Sequence, residues 1–442
     1  MPRTAVSLPP GPRGRPLIGN LAEFSEDALG FLTRCAREHG DVVRLGKSNY
    51  LVCHPRDIEQ VLVGTNRLFV KRRNVVRLEK PVPGLFSEAM MNSEGAEWLH
   101  RRRTSQPAFH RERVAACAEL IVRLTEDAIA EWRPGETRDP YRDMRRLSLD
   151  VVSRFLFGET VAGEARRIAI AVNELMRAAS SPVRVPRWMP TPGNRRFQRA
   201  MRDLDDLLYA LVARQRARPS GGSDLMALLL AGSNPDGSPL TDVQLRDELA
   251  TMIMSGHETT TDALVWTWWL LARHPEAEER LLAEVEQVLA DAPAGAAELP
   301  RLRYVEAVVK ESMRLYPPGW MTSREAVADC ELGGYPVPAG TTVAVSQWVT
   351  HRDPRFFADA EAFRPERWLD GSLDGLPKYA YFPFGGGPRF CIGASLAMIE
   401  AVLILATVAR RFRLEAAPGI EVVAQPAIAL RPLGVRVVVR GR

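Results

Sequence analysis

The chain has 442 residues, 46% of them hydrophobic and 26% charged, with a formal net charge of +5, a balance ordinary for a soluble globular protein. No apolar run reaches the ~20 residues that a bilayer-spanning helix needs; the nearest, Ala394 to Ala409, is interrupted by Glu400. Of 59 basic residues only five are lysine, leaving 54 arginines scattered along the chain, a compositional bias and not a nucleic-acid-binding block.

Residues 1–20 form a proline-rich lead with no apolar signal core, so neither a secreted nor a membrane-anchored protein is expected. Asp27 to His39 predicts an amphipathic helix ended by Gly40. Asp41 to Leu45 and Tyr50 to Cys53 predict a short hairpin around Gly46, and Pro55 opens a helix running to Val63. Lys71 to Ser93 is irregular. Trp98 and Arg102 then stand at i and i+4 on one helix face, where an indole N–H and a guanidinium together suit a pair of carboxylates. Glu112 to Trp132 and Pro140 to Phe157 predict two helices. The four prolines of Pro182 to Gly193 predict a loop with an apolar tip, Trp188-Met189.

Asp242 to Arg273 predicts the longest helix, with Thr241 and Gln244 as a capping box. Gly256, in its middle, lowers helix stability by about 1 kcal/mol relative to alanine and so requires a reason. The adjacent acid and hydroxyl, Glu258 and Thr259, are suited to passing protons. Glu311 and Arg314 stand at i and i+3 in a helix ending at Tyr316-Pro317-Pro318. Gly333 to Val345 and Val422 to Val439 carry β-branched runs that predict small sheets, with Gln425 to Leu430 as the last loop.

The stretch from Phe384 to Gly393 places Cys391 just ahead of a long apolar helix, Ala394 to Phe412. Free N–H groups and the helix dipole there favour thiolate over thiol. Gly385, Gly386, Gly387 and Gly393 lack a Cβ and admit a flat ligand close to the backbone; Arg389 is placed to meet an anionic group on it. The other cysteines, Cys35, Cys53, Cys117 and Cys330, form no Cys-x-x-Cys pair, which argues against a disulfide framework or a structural zinc site and makes the cytoplasm the expected compartment.

Phe384, Gly387, Arg389, Cys391 and Gly393 fit the pattern Phe-x-x-Gly-x-Arg-x-Cys-x-Gly, which resembles the haem-binding loop of the cytochrome P450 family, the haem-thiolate monooxygenases. The resemblance runs from Pro9 to Val439. It implies a mainly α fold with small β-sheets, the triangular prism-like P450 domain with a minor β region, over residues 1–442 as one domain. It implies haem b as cofactor with Cys391 as its iron ligand. Trp98, Arg102 and Arg324 would contact its propionates, and Phe384, Arg389 and Gly393 its proximal side. Gly256 would let the long helix approach the ring, while Glu258 and Thr259 would relay protons toward dioxygen. Ser255 departs from the small apolar residue usual two positions before His257, which itself reads as a packed helix residue. Glu311, Arg314 and Arg367 resemble the family's buried ion network.

The activity implied is insertion of one oxygen atom from O2 into a hydrophobic substrate such as a terpenoid, carotenoid or fatty acid. Electrons would come from NAD(P)H through a ferredoxin and its reductase, the ferredoxin meeting a basic face at Arg101, Arg103 and Arg389. A monomer without nucleic-acid partner or membrane anchor is expected. Oxidative coupling or peroxide-driven turnover on the same haem-thiolate site is the alternative; a haem sensor or carrier leaves the acid–hydroxyl pair without a purpose.

Overall fold

The structure, a computed structural model, describes residues 7–15, 19–65, 67–71, 88–158, 189–217, 224–290 and 292–442, with a few further positions between 167 and 174. Most of the expected irregular stretch from Lys71 and the loop tip at Trp188 lie outside the described residues.

The helices are α1 (Leu21–Glu26), α2 (Ala28–His39), α3 (Pro55–Val63), α4 (Gly95–Ser105), α5 (Arg111–Ala116), α6 (Ala118–Ile129), α7 (Pro140–Phe157), α8 (Pro192–Arg216), α9 (Leu225–Ala231), α10 (Asp242–Leu271), α11 (Pro275–Leu289), α12 (Arg303–Leu315), α13 (Gln347–Thr350) and α14 (Ala394–Arg411). Several begin where local chemistry says they should. Asp139 accepts N–H bonds from Tyr141 and Arg142 at the head of α7, whose first residue is Pro140. Thr241 and Gln244 exchange both bonds of a capping box at the head of α10. Two boundaries differ from expectation. The predicted Glu112–Trp132 helix is broken at Cys117, whose N–H bonds the Val114 carbonyl three residues back at 3.1 Å and not one four residues back, and no glycine or proline marks the break in the sequence. Pro192 and Gly193, expected in a loop, open α8, because Thr191 caps Asn194 and proline is tolerated in a first turn.

The largest sheet has the order β1 (Val42–Gly46), β2 (Asn49–Val52), β8 (Thr342–Val345), β5 (Thr322–Ala326), β3 (Phe69–Val70). Its β2–β8 pair is parallel and its other pairs are antiparallel. A three-stranded sheet joins β4 (Thr137–Arg138), β12 (Val437–Gly441) and β9 (Phe412–Ala416), and two-stranded ribbons pair β6 (Cys330–Leu332) with β7 (Tyr335–Val337) and β10 (Val423–Pro426) with β11 (Leu430–Leu433).

α10 is buried on nearly every side, and it encloses polar residues such as Asp247, Glu258 and Asp262 among its apolar ones. It packs on α7, α8, α12 and α14, and its length of about 45 Å carries it through the largest core. Trp266 fixes its C-terminal half: the indole stacks on Tyr316 at 3.8 Å and donates to the Leu430 carbonyl at 2.9 Å, tying the β10–β11 loop to the helix. The expected ion network is present and fully enclosed. Glu311 receives Arg314 at 2.8 and 2.9 Å, Arg367 at 3.0 Å and the Trp368 indole at 3.0 Å. Arg314 also donates to the carbonyls of His351, Ala360 and Ala362, so the charges leave water with their hydrogen bonds replaced.

Candidate active site

The loop that carries Cys391 is closed by main chain, its own N–H donating to the Phe384 carbonyl at 3.0 Å. Gly387 has φ of +64°, and a Cβ there would stand 2.1 Å from the Leu62 carbonyl oxygen; one on Gly386 would stand 2.3 Å from the Tyr379 ring. Those two glycines therefore let the loop lie against α3 and Tyr379. Gly393 differs: a Cβ there would have only Phe109 near it, at 3.9 Å.

Cys391 is exposed at this point of the structure, yet protein surrounds the side chain on its remaining sides. That desolvation raises the thiol above its ordinary value. The N–H groups of Gly393 and Ala394 and the charge of Arg102 act the other way without overcoming it. The helix-start argument alone anticipated a thiolate; enclosure is the term it omitted.

On α4, Trp98 is buried and Arg102 is half-buried, and the charge of Arg102 acts on Cys391. Among the described residues no carboxylate pairs with Arg102. Arg389 reaches α4 from the other side: its guanidinium lies 4.8 Å over the Trp98 ring, bonds Glu94 at 2.9 Å and donates to the Ser93 carbonyl at 2.6 Å. Its charge is thus met by a protein carboxylate. Arg324 is buried on β5 and bonds the hydroxyls of Thr65 and Thr322 at 3.0 and 3.2 Å.

The expected basic face is not formed as predicted. Arg101 is buried and engages Glu97 at 2.7 Å and both Glu88 and Glu248 at 3.5 Å; Arg389 is spent on Glu94, and only Arg103 of the three is exposed. A guanidinium withdrawn from water needs a carboxylate beside it, and composition does not show which arginines are withdrawn. Instead, a cavity of about 690 Å³ opens outside the cysteine loop, bounded by Lys310, Lys378, Phe384, Phe390 and Met398, with Phe390 44% exposed. Neither Cys391 nor any residue of α10 lines it.

On α10 the hydroxyls of Ser255, Thr259, Thr260 and Thr261 each donate to the carbonyl four residues earlier, at 2.7 to 3.0 Å. Gly256 has a packing reason: a Cβ there would come within 2.7 Å of Val152 on α7, so its close approach is to a helix. His257 is buried against the Ile253 carbonyl at 2.8 Å, and burial depresses it to about 4. Glu258 turns away from Thr259's side of the helix. It is paired with Arg431 of β11, whose Nε lies at 2.6 Å and whose Nη2 also bonds the same oxygen, and it accepts from the Tyr141 hydroxyl of α7 at 3.4 Å. Sequence reasoning missed Tyr141 and Arg431, since nothing local joins positions 141, 258 and 431.

The chain belongs to the cytochrome P450 family and is a monooxygenase of that family: the family model for cytochrome P450 matches residues 9–437. It is 36% identical over 417 residues to cyclooctat-9-en-7-ol 5-monooxygenase of Streptomyces melanosporofaciens, covering 92% of this chain and 90% of that one. It is 30% identical over 418 residues to pentalenene oxygenase of Streptomyces avermitilis, covering 93% and 92%. Among solved structures, a retinoic acid-bound cyanobacterial CYP120A1 superposes with a TM-score of 0.88 at 25% identity, covering 99% of this chain and all of that one. No helix among the described residues is long and apolar enough to cross a membrane.

The family implies a haem with thiolate ligation, and the residues present fit it. Cys391 offers an accessible sulfur with two N–H groups aimed at it, Gly393 leaves its Cβ direction open, and Arg102, which pairs with no carboxylate among the described residues, brings a cation beside them.

Proposed function

We propose that this chain oxygenates a hydrophobic, terpenoid-like substrate with haem b held by Cys391. The observation that carries this reading is the accessible Cys391 sulfur, flanked by Gly393, Ala394 and Arg102. Bound there, haem supplies the reductive activation of dioxygen. Trp98, Arg102 and Arg324, three buried or half-buried donors on α4 and β5, hold its carboxylates. Phe384, Arg389 and Gly393 act around the ligand loop, Arg389 chiefly by bracing it against α4. Gly256 acts at one remove, by seating α10 on α7. Thr259 holds and passes a proton at its Oγ1, and Glu258 supplies it.

The substrate class is supported by analogy with the two terpenoid oxygenases, and by the apolar character of the sequence stretches 81–92, 182–193, 319–322 and 425–430. Electrons reach the site from NAD(P)H by way of a reductase and an acidic ferredoxin. The ferredoxin is met by Arg103 and by Lys378 at the cavity outside the cysteine loop, since Lys310 there is paired with Glu306 at 2.8 Å. The protein works as a single-domain monomer in the cytoplasm.

The deciding experiment uses purified protein loaded with haem. The reduced, CO-bound form should show the red-shifted absorption band of thiolate ligation. A terpene hydrocarbon library should contain members that displace water from the iron and gain one oxygen atom when NAD(P)H and surrogate carriers are supplied. A protein with the band but no NAD(P)H-dependent oxygenation of any bound compound would overturn the reading.

A further inference from the structure

Asp262 lies one turn beyond Glu258 on the same face of α10. It is fully enclosed, and neither of its carboxyl oxygens has a hydrogen-bond partner among the described residues. An isolated carboxylate in such a place is too costly to keep, so the side chain is held as the neutral acid. Burial alone sets this; among the described residues no cation offsets it. Glu258 is in the opposite condition, a carboxylate gripped by Arg431.

Tyr141 of α7 stands beside Glu258. Its hydroxyl donates to Glu258, and burial together with the field of Asp262 raises the phenol to about 12. Arg145 of α7 and Arg431 of β11 lie over its ring at 5.7 and 5.9 Å, fixing its place. Asp139 is a further carboxylate whose field reaches Tyr141, and His257 is buried and neutral. Of the two carboxyls on this helix face, Glu258 therefore holds the cation and Asp262 the proton, with a phenol bonded to Glu258.

We propose that Asp262 stores the proton that Glu258 hands on, and that a water bridging Asp262 and the Tyr141 hydroxyl carries it between the two carboxyls. The inference rests on the role given to Glu258 under the proposed function. In the step, the Asp262 O–H bond breaks and its proton joins the water, which gives one of its own to the Tyr141 oxygen while the proton already on Tyr141 moves to Glu258. No electrons change hands. Asp262 becomes the carboxylate and Glu258 the acid, and Arg431, released from Glu258, is the mobile cation that compensates the displaced charge. Solvent restores the stored proton past Tyr141 and Arg431, both of which are partly exposed. Asp262 touches neither substrate nor cofactor, so it is a positioning residue acting through Glu258.

The test compares wild type with Asp262→Asn, Tyr141→Phe and Glu258→Gln, all loaded with haem. Asp262→Asn is isosteric and neutral, so it should fold. Infrared difference spectra at pH 8 should show a protonated-carboxyl band in wild type that Asp262→Asn removes. NAD(P)H-driven product formation should fall about tenfold in Asp262→Asn and in Tyr141→Phe at pH 8 and recover toward pH 6, where solvent supplies protons more readily. A band untouched by Asp262→Asn overturns the proposal. So does an unaltered pH profile in both variants while Glu258→Gln slows turnover. If Glu258→Gln itself has no effect, the role of Glu258 falls and the storage role with it, a result distinct from loss of the infrared band.

Discussion

At Cys391 the backbone and the side chain have separate duties. The loop is closed by a main-chain bond to Phe384 and seated by Gly386 and Gly387, so Cys391→Ser should fold normally. Its reduced, CO-bound spectrum should lose the red-shifted band; a variant that keeps it would place the iron ligand elsewhere. Thr259 is the second such case. Its hydroxyl hydrogen bonds the Ser255 carbonyl at 2.7 Å, and its oxygen retains capacity to accept. Thr259→Ala should leave stability and substrate affinity nearly unchanged, while product per NAD(P)H falls severalfold and hydrogen peroxide rises in its place. Equal coupling in the two proteins would move the role to Thr260 or Ser255. These residues were legible because their meaning is carried by neighbours within ten positions. Asp262 was not, since an acid three residues after Thr259 reads as an ordinary polar helix residue until the fold shows that nothing solvates it.

Among the elements, α7 and α10 form the tightest contact, and Gly256 is where they meet. Gly256→Ala gains up to about 1 kcal/mol of helix propensity but forces a methyl against Val152, an overpacking that costs about 1–3 kcal/mol. The expected net result is a lower denaturation midpoint, restored when Val152→Ala is combined with it. A lone Gly256→Ala as stable as wild type would show that α7 yields freely. Element boundaries were read well where caps and prolines speak locally: α3 and α7 begin and end where the sequence placed them. The break at Cys117 was invisible, as it follows from how α5 and α6 lie on the core and not from any breaker residue. The packing of Gly386 and Gly387 on Tyr379 and Leu62 was invisible for the same reason, because a sequence shows that a Cβ is missing but not what fills its place.

For the whole molecule, the Glu311 network is the point where α12 and the Ala358–Trp368 segment are held together. Arg314→Ala leaves Glu311 short of one of its two guanidinium partners and strips the donors from the enclosed His351, Ala360 and Ala362 carbonyls, and should cost about 3–5 kcal/mol, seen as loss of soluble, haem-binding protein. A soluble, active variant would show that the network is dispensable. Stability should also depend on pH with opposing slopes. His257, depressed to about 4, must stay neutral in the fold, so its contribution is complete above 6.5 and is lost as pH falls. His351, enclosed and lowered further, acts in the same sense. Glu400 is pushed up to about 8 by burial, so its contribution is complete below 4.5 and is lost as pH rises toward 8, at roughly 1.4 kcal/mol per pH unit. The unfolding midpoint should therefore be highest between about 4.5 and 6.5, where the two trends oppose each other. Glu400→Gln should flatten the decline above that range; an unchanged decline would assign it to Asp262 and Glu248.

The bonds from Arg389 to Glu94 and to the Ser93 carbonyl span 296 positions of sequence in the latter case. A ribosome adding 5–20 residues per second makes Ser93 about 15–60 s before it makes Arg389. Throughout that interval Glu94 waits without its partner and the two halves of the site do not yet coexist. The nascent chain accordingly cannot close the site until nearly its last helix has left the exit tunnel, so prosthetic-group capture is an event of the finished polypeptide, and a message truncated anywhere before codon 391 yields a product unable to bind iron through this cysteine.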